Sequence, residues 1–217
     1  MQQTLNINAK KTKLFKTKLT FLGYSLDSNG IQIKKDSIDA ITNLAYPNCK
    51  REIRSFLGSM NYFNKHIKNL HSISAPISKL TSSKRDFCFE EEQKLAFNSL
   101  KQLLLEAPIL GFPNYNEKFF LNCDTSGHAV GGCLTQEYTS KPVVIAYLSN
   151  ALNASQKNWS TIDRECFVIF FCLEHMEKFM GSNLRVLIRT DHLPLKTFIS
   201  SGSKSPKGKR ARWLTFM

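Results

Sequence analysis

The sequence predicts an α/β (α+β) chain in two parts: a small β-hairpin with short helices, then a mixed sheet with helices packed on it. Three observations lead there. Between Asp36 and Glu106 apolar residues recur at helical spacing. Beyond Asn114, short strand-like runs separated by turn residues take over. The connections among the first three of these runs are too short for a parallel crossover, so they form an antiparallel meander. A long helix and one more strand follow, and the order β-β-β-α-β gives a mixed sheet.

The elements are expected in this order. Lys10, Lys11, Lys13, Lys16 and Lys18 interrupt an aperiodic stretch leading into the strand Leu19-Thr20-Phe21-Leu22-Gly23-Tyr24. Asp27-Ser28-Asn29-Gly30 carries residues that tolerate positive φ, and Ile31-Gln32-Ile33 returns as the second strand of a hairpin. Asp36 can cap a helix bearing Ile38, Ile41 and Leu44, which Pro47 ends. Asn48 can cap a second helix with Ile53, Phe56, Leu57 and Met60 on one side and Lys50, Arg51 and Arg54 outside. A third short helix covers Ser74 to Leu80, and Thr81 to Arg85 reads as a solvated linker and domain boundary. Glu90 to Glu106 is a long helix with acids in its first turn, ended by Ala107-Pro108. Strands Phe119 to Cys123, His128 to Thr135 and Pro142 to Leu148 precede a helix from Ser160 to about Met180 and a strand from Leu184 to Thr190.

Composition bounds the function. The 217 residues carry 30 Lys and Arg against 17 Asp and Glu, a formal charge of +13, and are 42% hydrophobic. An acidic or disordered chain is excluded, and the positive field attracts polyanions, nucleic acid being the commonest. A solvated basic surface is the plainer use of the same charge. No pair among Cys49, Cys88, Cys123, Cys133, Cys166 and Cys172 forms a C-x-x-C, so neither a zinc knuckle nor a disulfide framework is expected. No secretory signal is visible, and reduced thiols in an intracellular, cytoplasmic protein are expected. The longest apolar run, Cys166 to Leu173, is far short of the ~20 residues of a membrane helix, so no membrane partner is expected.

Three acids stand out by position. Asp124 closes one strand and precedes Thr125-Ser126-Gly127; Asp191 closes another and precedes His192-Leu193-Pro194. An aspartate so placed more often forms a turn by bonding its own backbone. Glu165 shares a helical stripe with Ile162, Val168, Ile169, Cys172 and Met176, the side facing a sheet, where a carboxylate needs a partner or a metal. Phe167, Phe170 and Phe171 make the opposite side apolar too, which leaves the phase open. Ser160-x-x-Asp163 resembles a capping box. Carboxylates gathered from two strands and a helix suit Mg²⁺ or Mn²⁺ rather than zinc. In two-metal hydrolysis one ion activates water and the other stabilises the leaving oxygen, roughly 3.5–4 Å apart.

The series FLGYSLDSNGIQIKKDSIDAI, REIRSFLGSMNYFNKHI and FEEEQKLAFNSLKQLLLEAPIL resembles the region after the polymerase site in Pol polyproteins of gypsy-type long-terminal-repeat retrotransposons. KFFLNCDTSGHAVGGCLTQ, PVVIAYLSNAL, NWSTIDRECFVIFFCLEHMEKFMGSNLRVLIRTDH and RARW resemble the ribonuclease H domain of the same polyproteins. The resemblance implies a division into the end of a polymerase palm (1–33), a helical thumb (34–85), a connection helix (86–113) and an RNase H-like domain (114–217). Asp124, Glu165 and Asp191 match the family's catalytic, metal-binding carboxylates for two Mg²⁺ or Mn²⁺ ions. Ser126 and His192 lie beside that site, His192 more as a groove-lining residue than as a proton shuttle.

The departures from the family matter as well. The polymerase Tyr-x-Asp-Asp segment, the fingers and most of the palm are not in the sequence, so no DNA synthesis by this chain alone is expected. The family continues past its Arg-Trp to a fourth metal-binding Asp, whereas this sequence runs to Met217, and a C-terminally incomplete nuclease domain is expected. Cys123 stands where Thr is usual and Cys88 where Trp is usual, and neither is expected to touch a ligand. Lys50, Arg51, Arg54, Lys65 and Lys68, with Tyr62 and Phe63 among them, are placed on thumb-like helices to meet phosphates. A run of Lys204, Lys207, Lys209, Arg210 and Arg212 would lie beside a hybrid in the family. The expected reaction is Mg²⁺-dependent endonucleolytic hydrolysis of RNA in RNA/DNA hybrids, with the remainder of a Pol polyprotein as partner. The alternatives are a non-catalytic nucleic-acid-binding remnant and a decayed coding fragment.

Overall fold

The computed structural model describes residues 8, 12, 14–84, 86–137, 141–180, 186–190 and 213. The amino-terminal unit opens with an antiparallel sheet of β1 (Leu19–Phe21), β2 (Tyr24–Asp27) and β3 (Gly30–Ile33). The strand expected across 19–24 is therefore broken. Leu22 and Gly23 take positive φ, 47° and 77°, and make a two-residue hairpin turn whose twist matches that of the flanking strands. At the next turn Asp27 Oδ1 accepts the Asn29 N–H at 2.9 Å.

Helix α1 (Lys35–Thr42) starts before Asp36, which forms an ion pair with Lys34 instead of capping. Helix α2 (Lys50–Tyr62) is preceded by Cys49, and Asn48 does not cap it; the Asn48 N–H donates to Glu52 Oε2 at 2.8 Å. Ile53, Phe56 and Met60 are buried as their spacing predicts. A 3-10 turn (Asn64–His66) leads to α3 (Leu70–Ile73), and the short helix expected from Ser74 to Leu80 follows as α4 (Ala75–Ser78) and a 3-10 turn (Lys79–Thr81). Pro76 has no amide to continue the helical ladder, so the helix restarts there.

The stretch expected as a solvated linker is exposed at residues 82–84, and its start is anchored: Thr81 O accepts from Arg54 at 2.9 Å and Ser82 O from Lys50 Nζ at 2.8 Å. Helix α5 (Glu91–Leu105) packs on α1, α3 and α4, placing Phe97, Leu100 and Leu104 against Ile53, Phe56 and Met60. The core of the first unit includes residues of α5, beyond this stretch. Tyr24 stacks on Tyr62 and His66, at 5.8 and 5.4 Å, and Tyr62 O–H donates to Leu22 O at 2.7 Å, so the hairpin docks on the end of α2.

The second unit follows the expected topology, with strand order β6-β5-β4-β7. β4 (Phe119–Thr125), β5 (Ala129–Gln136) and β6 (Val143–Ala151) are an antiparallel meander, and β7 (Val186–Arg189) lies parallel to β4. Leu184 and Arg185 fall outside the described residues. Between β6 and β7 come α6 (Ala154–Lys157), capped by Asn153, and α7 (Thr161–Met180).

Both apolar sides of α7 are used. Val168, Ile169, Cys172 and Met176 are buried in one core with Phe119, Leu121 and Leu134 of the sheet, while Phe167 and Phe170 pack on Trp213 at 5.7 and 6.4 Å. A backbone seam joins the units. Ile31 and Leu110 exchange hydrogen bonds at 2.8 and 2.9 Å, and Gly111 N–H donates to Val144 O of β6 at 2.8 Å.

Gly30 has φ +134°, and a Cβ there would collide with the Leu110 carbonyl. Gly30→Ala is expected to cost at least about 2 kcal/mol in denaturant unfolding. Gly58, inside α2 with open space at its Cβ position, is the control: Gly58→Ala is expected to stabilise by about 0.5–1 kcal/mol.

His66 is 2% exposed and bonds Ile31 O through Nε2 at 3.3 Å, leaving buried Nδ1 without a partner. Burial lowers its pKa below 6.5, as it does for His71. Protonation would add a buried N–H with no acceptor. Stability is therefore expected to be complete above the unfolded value of 6.5 and to fall as pH drops below it, as the denaturant midpoint between pH 7 and 5 would report. A His66→Gln variant should flatten that slope.

Candidate active site

The site is built around the end of β4. Leu121 is buried in the core it shares with α7, and Cys123 packs against that core. Thr125 Oγ1 donates to Glu165 Oε1 of α7 at 2.9 Å. Odd-numbered residues of β4 therefore face α7, and strand alternation turns Asn122 and Asp124 to the opposite face. Asp124 lies inside the strand, paired with Gly131, rather than at its close as expected. It is exposed and lines a cleft of about 210 Å³ with Asn122, Lys68, Asn69 and Tyr147.

The turn that Asp124 was read as able to form is made by Ser126. Its Oγ accepts the N–H groups of His128 at 3.2 Å and Ala129 at 3.0 Å, and Ser72 Oγ lies 3.4 Å away. Arg164 reaches Ser126 O at 3.4 Å. The hydroxyl named as a nucleic-acid contact is thus engaged in holding the loop.

Glu165 is 8% exposed, about one turn into α7, as the stripe argument requires. The Ser160 start is also as expected: its Oγ accepts the Asp163 N–H at 3.2 Å. Asp124 and Glu165 stand at the same end of β4, Asp124 on the strand itself and Glu165 through its bond with Thr125. The Cys123 thiol is pushed far up, first by its hydrogen bond with Cys172, then by burial, with Glu165 and Asp124 adding to the shift. Cys123 was expected not to touch a proposed ligand, and its hydrogen-bond partner is Cys172. Gly132 is a glycine here because a Cβ would collide with Cys172 Sγ.

Asp191 and His192 lie outside the described residues, as do Lys204, Lys207, Lys209, Arg210 and Arg212. Among the described residues no three His, Cys, Asp or Glu side chains converge on a point that could hold a metal. The described donors, Asp124 and Glu165, are both carboxylates, a donor type that fits a hard divalent cation. They lie at the carboxyl ends of β4 and β7, the parallel pair of the sheet, where ligand sites of α/β sheets form.

The basic residues divide. Arg51 is exposed on α2, while Lys50 and Arg54 hold the 81–82 carbonyls. Lys65 lies in a 3-10 turn and stacks on Phe179 at 5.2 Å, and burial with the nearby Lys178 lowers its pKa. Lys68 belongs to no helix. Tyr62 and Phe63 serve the hairpin dock rather than a stacking surface. Sequence reasoning missed Thr125, Asn69 and Tyr147; a hydroxyl two residues beyond a core position of β4 was the one available signal for Thr125. No helix among the described residues is long and apolar enough to cross a membrane.

Residues 89–186 match the family model described as RNase H-like domain found in reverse transcriptase. The retrovirus-related Pol polyprotein from transposon opus of Drosophila melanogaster is 30% identical over 96% of this chain and 22% of that polyprotein. The Pol polyprotein from transposon gypsy of the same organism is 29% identical over 98% of this chain and 21% of its own length. The transposon Tf2-3 polyprotein of Schizosaccharomyces pombe is 29% identical over 98% of the chain and 16% of its own length. The chain thus spans about a fifth of these relatives.

Two solved structures share the fold. A foamy viral protease-reverse transcriptase in complex with dsDNA superposes with a TM-score of 0.71 at 20% identity, covering 95% of this chain and 43% of that one. The same kind of enzyme in complex with RNA/DNA hybrid gives 0.72 at 19%, covering 95% and 28%. Along nearly its whole length the chain is similar to retrotransposon Pol polyproteins, and residues 89–186 match the RNase H-like domain found in reverse transcriptase.

Proposed function

We propose that the chain is part of a retrotransposon reverse transcriptase whose RNase H-like domain hydrolyses the RNA strand of RNA/DNA hybrids endonucleolytically, with Asp124, Glu165 and Asp191 as the carboxylate set. The observation that carries this reading is the placing of Asp124 and Glu165 at the carboxyl end of the parallel β4–β7 pair, with Thr125 holding Glu165. In sequence, Asp191 stands two residues beyond Arg189 as Asp124 stands two beyond Asn122, and Asn122 and Arg189 are register partners. The foamy viral complexes with dsDNA and RNA/DNA hybrid support the substrate class, and the relatives support the rest of a Pol polyprotein as partner. Residues 1–33, 34–85 and 86–113 are read as palm end, thumb and connection.

Mg²⁺ or Mn²⁺ bound by these carboxylates would supply Lewis-acid stabilisation of the phosphodiester and a more acidic water. The chain's own residues do the rest. Thr125 fixes the rotamer of Glu165 and satisfies one of its buried oxygens. Asp124 presents an exposed carboxylate at a fixed strand position. The net charge of +13 draws in the polyanion.

The test is cleavage of a hybrid labelled on its RNA strand, with Mg²⁺. The wild type should cut, and Asp124→Asn should lose more than roughly 100-fold, beyond the 10–100-fold typical of a lost supporting group, while its affinity for hybrid in EDTA is unchanged. Equal cutting by Asp124→Asn would sink the assignment. A folded wild type that binds hybrid without cutting would make the chain a non-catalytic binder. Thr125→Val should lower kcat roughly 10- to 100-fold with a stability change of about 1 kcal/mol, since it removes one hydrogen bond to Glu165.

A further inference from the structure

The cleft beside Asp124 is walled on one side by the amino-terminal unit. Its wall is the connector between the 3-10 turn and α3, pinned at either end by buried Ile67 and Leu70. Between them Lys68 is exposed and Asn69 adopts φ 54°. His71 N–H donates to Ser149 Oγ of β6 at 3.1 Å, and Ser72 Oγ meets Ser126 Oγ at 3.4 Å. The connector also presses on β5: a Cβ on Gly131 would stand 2.7 Å from Asn69 Oδ1. Gly131 is the register partner of Asp124, so Asn69 sits over the strand position opposite the candidate catalytic carboxylate.

The lining has the chemistry of an anion site next to that carboxylate. Among the described residues Lys68 forms no ion pair. Its charge reaches into the cleft, because it opposes the burial that pushes the Cys133 thiol up to about 11. Asn69, Asn122 and Tyr147 add polar side chains around the same cleft. A seam needed only for packing would be closed with apolar side chains. This one keeps an ammonium and amides beside an open space of about 210 Å³.

We propose that Lys68 and Asn69, with Asn122 and Tyr147 across the cleft, form a subsite for a phosphodiester oxygen of a nucleic-acid backbone beside Asp124. The inference rests on the nuclease reading for the identity of its ligand. Lys68 is a positioning residue: it neutralises one backbone phosphate and holds the strand against the face that bears Asp124. The amino-terminal unit thereby supplies part of the RNase H-like domain's substrate site.

The test measures affinity of the full chain for an RNA/DNA hybrid against NaCl concentration, without divalent cations, and steady-state cleavage with Mg²⁺. Lys68→Ala should flatten the slope of log affinity against log salt by roughly 0.7–0.9, the release of one phosphate contact, and raise KM without lowering kcat. Lys68→Arg should keep the wild-type slope. Lys94→Ala, on α5 and outside the cleft, should match the wild type, and all variants should share one unfolding midpoint.

A Lys68→Ala slope equal to those of the wild type and Lys94→Ala overturns the subsite, even if the wild type cuts hybrid. If the wild type binds without cutting, the nuclease reading fails while the slopes still decide the subsite. Failure of the wild type to bind hybrid overturns both.

Discussion

The arrangement of the whole molecule depends on two consecutive residues, Leu110 and Gly111. Leu110 exchanges both backbone hydrogen bonds with Ile31 of the first sheet, and the Gly111 N–H bonds Val144 of the second. A short buried segment between two sheets has few ways to satisfy its amides and carbonyls, so using them on both sides fixes the units in one relation. Gly30 permits the approach because any side chain there would strike the Leu110 carbonyl. Given that seam, α3 and the turn before it must lie on β5 and β6, and Lys68 and Asn69 must lie beside Asp124.

The second constraint is the burial of α7 on both sides. One face fills the sheet core and the other packs its phenylalanines on Trp159 and Trp213. With rotation about its axis blocked in this way, Glu165 is carried to the end of β4, where Thr125 meets it. A buried carboxylate without such a donor would be costly, so the hydroxyl and the acid are best understood as a unit. Cys123, next to Asp124 along the strand, keeps its proton in this surrounding and packs against Cys172.

Among the described residues the positive charge is not spread as a uniform binding face. Lys50 and Arg54 brace the 81–82 carbonyls, and Lys65 stacks on Phe179. Each gives up side-chain freedom to tertiary structure, which limits how far it can serve a mobile polyanion as well. Lys68 and Arg51 remain exposed without an ion pair among the described residues, and of these Lys68 faces the cleft.

Much of this was legible in the sequence. Hydrophobic spacing located α2, α5 and α7, and the short connections required the β4–β5–β6 meander, because both signals depend only on neighbouring residues along the chain. The motifs around Asp124 and Glu165 mark the candidate site in the sequence itself. What the sequence could not show was where side chains are spent across distance. Asn48 looked like a cap, yet the Glu52 carboxylate takes its N–H. The break at Leu22-Gly23 hid inside an apolar run because a hairpin turn of positive φ needs only two residues. Residue identity and order determined the elements, the charge and the acids. Tertiary structure alone decided that Asp124 shares its cleft with Lys68 and Asn69, because that meeting requires the two-sided hydrogen bonding of Leu110 and Gly111 and the absence of a side chain at Gly131.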